Sequence, residues 1–329
     1  MLNRLLFLRD EMELPSESEL NSLADTTIST LEAEVCRPKA KNGKVGGLLD
    51  FTAQKKPVIL VPDLHARVDF LINLLQWKPL GTTVLESLKK SKILVLCVGD
   101  YVHSETNDFA YKRWLNAFAY WQRGEINSRP MRQEMHDSLA TLMSVMELKN
   151  AFPESFFLLK GNHENIQNKE GGGDHSFMKF VMEGSMVLNF MQEVFSDASL
   201  HLISCFEKTL PIVANFSDFC VSHAEPAICH TIEEIVNYHE DDETILDFTW
   251  TANGEALEGS VAQQFLLLHS TERRKKPLWF SGHRPVPEKF LTRQGGALIQ
   301  FHNPEKMNVV FLQPNKLFSP EQDILSILL

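Results

Sequence analysis

The chain has 329 residues, 43% hydrophobic and 23% charged, which is enough for one large α/β domain with an appendage or for two ordinary domains, and is too apolar for a disordered or fibrous protein. A formal charge of -11 argues against a broad nucleic-acid surface, which needs a basic face. No apolar run approaches a membrane span, and the opening stretch MLNRLLFLRDEMELP breaks its apolar patch with Arg4 and Arg9 and offers no small-residue cleavage site, so no membrane association and a cytoplasmic location are expected.

The cysteines, Cys36, Cys97, Cys205, Cys220 and Cys229, form no CxxC pair and are odd in number. Neither a disulfide framework nor a zinc-thiolate site is indicated, and buried free thiols are expected. The basic run Glu272-Arg273-Arg274-Lys275-Lys276 reads as a solvated loop ahead of a strand.

In chain order, residues 1–55 read as a helical extension. Ser16 with Glu19 makes a capping box after Pro15, and Leu20, Leu23, Thr27, Leu31 and Val35 follow at helical spacing. A loop over 39–47 leads to a strand, Val58–Val61, stopped by Pro62, and Val68, Leu71, Ile72 and Leu75 then mark a helix. Ile93–Val98 is apolar on both faces, the pattern of a strand buried on both sides. Residues 107–123 and 130–150 form a helical insertion whose Trp114, Phe118, Tyr120 and Trp121 read as core packing. A strand at Phe156–Leu159 follows, then a flexible turn at Gly171–Asp174, helices through 176–195, and strands near 211–215, 218–221 and Leu278–Phe280. Ala297–Phe301 and Val309–Leu312 close a domain spanning 56–314, and 315–329 forms a tail.

Residues of metal-ligand type stand directly after these strands. Asp63 and His65 follow the first, Gly99-Asp100 the second, Gly161-Asn162-His163-Glu164 the third, Ser222-His223 the next, and Gly282-His283 another. Open α/β sheets place their sites outside the carboxyl ends of strands, so these segments are expected to converge. Carboxylate, amide and imidazole donors without thiolate suit Mn, Fe or Zn. A carboxylate such as Asp100 can bridge two cations about 3.5–4 Å apart, so that a shared water loses a proton near neutral pH and attacks phosphorus in line.

On these residues the sequence resembles the calcineurin-like metallophosphoesterases, and among them the PPP-type serine/threonine protein phosphatases. Asp63-Leu64-His65 is similar to the family's DxH, Gly99-Asp100-Tyr101-Val102 to the start of its GDYVDR, and Gly161-Asn162-His163-Glu164 matches its GNHE. Leu210–Ala214 leading to Cys220–His223 is similar to the LPIAA segment and its histidine, and Ala297–Pro304 to the closing strand and SAPNY loop. The resemblance implies an α/β fold, a four-layer α-β-β-α sandwich of two mixed sheets with metals at the carboxyl ends of the strands. It implies that Asp63 and His65 hold a first metal with Asp100 bridging, and that Asn162, His223 and His283 complete a second. Asn162 would also face the substrate phosphate, and His163 would protonate the leaving oxygen. The cofactors implied are two divalent or trivalent transition-metal ions, Mn and/or Fe, with Zn as the alternative.

The pattern also departs from the family. Where GDYVDR ends in an Asp and a phosphate-gripping Arg, this chain has His103 and Ser104, and 255–264 supplies no second Arg. Arg284 and Arg67 are the candidate phosphate donors. Simpler relatives carry a GHxH whose second His binds metal; that place is Pro285 here. His136, His175, His201, His230, His239, His269 and His302 fall outside the matched positions and are read as surface or core histidines.

Three functions are compatible with this reading. The first is a phosphomonoesterase, acting on a phosphorylated protein as the serine/threonine phosphatases do. The second is a hydrolase of a small phosphorylated metabolite or dinucleoside polyphosphate. The third is a catalytically weak metal-binding protein whose N-terminal helix mediates self-association or recognises a partner.

Overall fold

The computed structural model describes residues 1–105, 107–269 and 276–328; the basic run at 272–275 lies outside them. Two sheets form the centre. The first contains β2 (Val58–Val61), β3 (Leu94–Cys97), β4 (Phe156–Leu158), β10 (Asn308–Leu312) and β11 (Ile324–Ser326) in the order β11-β10-β2-β3-β4. The second contains β1 (Leu48–Phe51), β5 (Val213–Phe216), β6 (Cys220–Ser222), β7 (Trp279–Ser281), β8 (Leu291–Arg293) and β9 (Leu298–Gln300) in the order β1-β5-β6-β7-β9-β8.

Both sheets are mixed, and in each a run of three parallel neighbours matters most. Strands β2, β3 and β4 pair in parallel, as do β6, β7 and β9. All three strands of each run therefore end on the same edge of their sheet. The runs VILV and LVLC are buried at every position because β2 and β3 have a packed layer on both sides. One side is the core between the sheets, where Leu60, Leu96, Val98 and Leu159 meet Phe216, Val221, Phe280 and Phe301.

Helices cover the outer faces. Against the first sheet lie α1 (Leu2–Asp10), α2 (Glu17–Glu32), α3 (Val68–Gln76), α4 (Val84–Lys89), α5 (Asn107–Trp121), α6 (Arg129–Ala151), α7 (Glu183–Val194) and α8 (Asp197–Thr209). Against the second lie α9 (Ile232–Val236), α10 (Asp242–Trp250) and α11 (Ser260–Leu268). This is the four-layer sandwich that the resemblance implied. Helix α6 is the axis of the larger helical layer: Pro130 opens it, and its Met131, Met135, Met143 and Met146 are buried because α1, α2, α3 and α5 all pack on it.

The N-terminal stretch is tied into the domain. Ser16 caps α2 by accepting from the Glu19 N–H, but the Glu19 carboxylate turns to Arg4, so half of the expected capping box forms. The apolar side of α2 is buried against α6 and α8, and Val35 lies beyond the helix end, fully exposed. Strand β1, unmarked in the sequence, adds to the second sheet, and β11 within 315–329 adds to the first. Of the cysteines, Cys97 and Cys220 are buried as expected, Cys36 and Cys205 are half-buried, and Cys229 is exposed. Among the described residues no helix is long and apolar enough to cross a membrane.

Candidate metal centre

The two parallel runs deliver their loops to one cleft. Asp63 and His65 come off β2, Asp100 off β3, Asn162 and His163 off β4, His223 off β6 and His283 off β7. His65 Nε2 lies 3.6 Å from Asp100 Oδ2, His223 Nε2 lies 3.4 Å from the same oxygen, and His163 Nε2 lies 3.8 Å from it. Asn162 Oδ1 is 2.9 Å from His223 Nε2 and 3.0 Å from His283 Nδ1. Asp63, Asp100 and His223 also offer ligand atoms within 4.8 Å of one another, so the six candidate ligands and His163 lie around one cleft.

The loops reach this point through strained backbone. His65, Asp100, His103 and His283 have φ of 42°, 53°, 62° and 61°, a region that residues with a Cβ rarely enter. Two glycines allow the approach. A Cβ on Gly282 would stand 1.8 Å from Asp63 Oδ1, and one on Gly161 would stand 2.2 Å from Asp100 Oδ1. Glu164 clamps the β3 and β4 loops together, accepting from the backbone N–H groups of Asp100, Tyr101 and Gly161 at 2.7–2.9 Å.

Outer hydrogen bonds determine which ring nitrogen faces the cleft. His65 Nδ1 meets His103 O at 3.0 Å, His223 Nδ1 meets Val98 O at 3.1 Å, and His283 Nε2 meets Trp250 O at 3.2 Å. A carbonyl oxygen only accepts, so in each ring that nitrogen carries the proton and the other presents its lone pair inward. Around Asn162 Oδ1 and Asp100 Oδ2 acceptors therefore face acceptors, an arrangement that repels unless a cation sits between them. Among the described residues, Asp63 Oδ1 is buried without a hydrogen-bond partner. Burial, then the charges of Asp63 and Glu164, push the Asp100 carboxyl well above the usual carboxylate range. Burial, then nearby histidines, keep the His223 and His163 imidazoles well below theirs. Each of these features fits bound cations, and the donor set is oxygen and imidazole throughout.

Several residues take positions that differ from the expectations. His302, set aside in the sequence as a surface or core histidine, follows β9 and puts Nε2 3.9 Å from Asp63 Oδ2; Asp63, His65 and His302 form one cluster able to hold an ion. Glu105, unmarked in the sequence, places Oε1 3.1 Å from His65 Nε2 and 3.0 Å from His302 Nε2. His103 occupies the place of the acid-orienting Asp, with Nδ1 3.2 Å from His163 Nδ1, and Phe177 packs on both rings. Ser104 joins Glu134 and Arg113 in a buried network. The Arg67 guanidinium donates to the carbonyls of Leu64, Asp63 and Pro304 at 2.7–3.0 Å, which makes it a brace for the DxH loop. Burial brings Arg67 down to about 10 against the pull of Asp63 and Glu105. Arg284 stands exposed beside His283 and pairs with no carboxylate among the described residues. A signal for His302 did exist, since it is the first ligand-type residue after the buried strand at 298–300.

A two-sheet sandwich with carboxylate, amide and imidazole donors gathered at the ends of its parallel strands is the architecture of a metal-dependent phosphoester hydrolase. The family model for calcineurin-like phosphoesterases matches residues 56–314, and the chain belongs to that family, whose members are hydrolases acting on phosphoester bonds. Among solved structures, a Saccharomyces cerevisiae serine/threonine phosphatase with similarity to human phosphatase PP5 superposes with a TM-score of 0.61 at 14% identity, covering 95% of this chain and 90% of that one. A cold-active protein tyrosine phosphatase of a psychrophilic Shewanella species gives 0.46 at 13% identity, with 85% and 82% covered. A putative diadenosine tetraphosphatase gives 0.45 at 14%, with 85% and 97% covered. Comparison with curated protein sequences finds no match.

Proposed function

We propose that the chain is a phosphate monoesterase with a binuclear centre of Mn and/or Fe, or of Zn, held by Asp63, His65, Asp100, Asn162, His223 and His283. The observation that supports this most strongly is the convergence of ring nitrogens on Asn162 Oδ1 and Asp100 Oδ2, an arrangement that bound cations reconcile. Such a pair of ions supplies Lewis-acid charge for the phosphate oxygens and acidifies a water for attack.

This chain's own side chains carry the remaining steps. The His163 backbone N–H donates to Asp100 Oδ1 at 2.9 Å and holds that carboxylate in place between the two clusters. The His163 ring lies beside Asp100 and is assigned the proton-donor role towards the leaving oxygen; because burial holds the ring neutral, it must take up that proton when the anionic phosphate binds. Phe177 packs against that ring, with 3.8 Å between the ring centroids. Arg284, exposed beside His283 and paired with no carboxylate among the described residues, is assigned the role of neutralising phosphate oxygens.

Two substrate classes remain to be separated: phosphoserine or phosphothreonine in a protein, and a small phosphorylated molecule or dinucleoside polyphosphate. The second is favoured by position 104, where a hydroxyl inside a buried network replaces the phosphate-gripping Arg. The test is turnover of p-nitrophenyl phosphate with Mn²⁺, then of phosphopeptides against nucleotides, with bis(p-nitrophenyl) phosphate as the diester control. Asp100→Asn and His163→Ala should each lower turnover at least about a hundredfold. A folded, metal-loaded protein that hydrolyses none of these substrates would leave the third function, a metal-binding recognition protein.

A further inference from the structure

Resting on that reading, we infer that His302 and Glu105 are direct ligands of the first cation, so that the two metal positions of this chain are unequal. The observation is geometric. Glu105 Oε1 lies 3.1 Å from His65 Nε2 and 3.0 Å from His302 Nε2, and both nitrogens also approach Asp63 Oδ2, each at 3.9 Å. His65 has its proton on Nδ1, held by the His103 carbonyl, so its Nε2 meets the Glu105 carboxylate lone pair to lone pair. An ion between these atoms turns the clash into coordination.

All of the groups concerned are nearly dry. His302 is fully buried, and the side chains of Asp63, His65 and Glu105 are 5% exposed or less, so bulk water is not at hand to complete an ion's shell. A second arm of Glu105 reaches Lys179 in the segment that also carries Phe177, which fixes the carboxylate's direction.

Pro285 removes the histidine that GHxH sequences place after the His283 position, and the end of a different strand, β9, puts an imidazole beside Asp63. The first position would then have five protein groups to hold an ion, Asp63, His65, Asp100, Glu105 and His302. The ion served by Asn162, His223 and His283 has fewer protein donors and is the more readily exchanged. The first ion is therefore retained, and the second is the one that responds to the metal supply.

The test counts ions rather than turnover. The full chain is stripped with chelator, reloaded with Mn²⁺ and dialysed; bound metal is measured by elemental analysis, affinity by titration calorimetry, and nitrogen ligation by pulsed electron paramagnetic resonance. The wild type should retain one ion through a dialysis that removes the other. His302→Ala should lose the retained ion and raise its Kd at least about tenfold, since loss of even an outer partner costs that much. Glu105→Gln should weaken the same site, and His302→Asp, which restores a donor, should recover much of the affinity. If His302→Ala fails to fold, anomalous diffraction from Mn-loaded wild type decides, with Nε2 of His302 expected about 2.1 Å from an ion. Variants that hold both ions at unchanged affinity, or an ion that avoids His302 and Glu105, overturn the inference and leave the phosphoesterase reading intact. A wild-type chain that takes up no metal overturns both.

Discussion

Glu164 shows how one side chain can hold a site together without touching substrate. Its carboxylate receives three backbone N–H groups from two different loops, and it is 1% exposed. Glu164→Gln replaces one acceptor oxygen by a donor among donors and should cost about 3 kcal/mol in urea unfolding, since bonds to a charged group are worth about 1.5–3 kcal/mol each. The GNHE string made this residue conspicuous, but its partners could be named only once β3 and β4 were known to be adjacent. Glu207 is a contrasting case. Burial raises its carboxyl well above the usual range, partly offset by Lys160 and the Ile166 N–H. The native state then binds a proton that the unfolded chain has released. Stability is therefore full below the unfolded carboxyl's pKa and falls as pH rises through the higher native one. Unfolding at pH 5 and pH 8 should show this loss, and Glu207→Gln should flatten it.

At the scale of elements, the insertion α5–α6 and the segment after GNHE decide what surrounds His163. Arg113 of α5 reaches Glu134 and Asp137 of α6 and the Ser104 hydroxyl, and Glu134 is fully buried. Arg113→Ala leaves that carboxylate unpaired and should cost about 3–5 kcal/mol, read by thermal or urea denaturation. Phe177 stacks on His103 with an interplanar angle of 4° and lies 3.8 Å from the His163 ring. Phe177→Ala should leave the fold in place and lower kcat about tenfold or more, because the acid ring loses its packed orientation. The sequence marked α5 and α6 to within two residues. It placed a helix over 176–195, whereas α7 begins at Glu183, and the stretch before it is irregular chain whose polar groups bond to Asn168 and Glu183. Helix α8 went unmarked although its Leu200, Ile203 and Phe206 stand three apart and are buried.

For the whole molecule, metal binding and stability should be one equilibrium. Asp63, Asp100 and Glu105 are buried together, and without cations their mutual repulsion falls on the folded state alone. Stripping the metal should lower the thermal midpoint, and restoring Mn²⁺ at about a thousand times its Kd should return about 4 kcal/mol; an unchanged midpoint would count against the buried cluster as a metal site.

Local chemistry alone was enough to indicate the strands β2 and β3, whose unbroken apolar runs suit only a doubly covered position, and the polar residues that stop them. Asp63, His65, Asp100, Asn162, His163, His223 and His283 were legible because each follows such a run and because their order matches a known pattern. The tertiary structure decided what no local pattern carries: that β6, β7 and β9 run parallel and so bring His302 to the same edge as His223 and His283. It also decided that Glu105 turns inward between two imidazoles, that Arg67 is a brace, and that β1 and β11 complete the sheets. Coordination depends on distance between atoms, and residues 63, 105 and 302 become neighbours only when two sheets, far apart in the chain, close over one core.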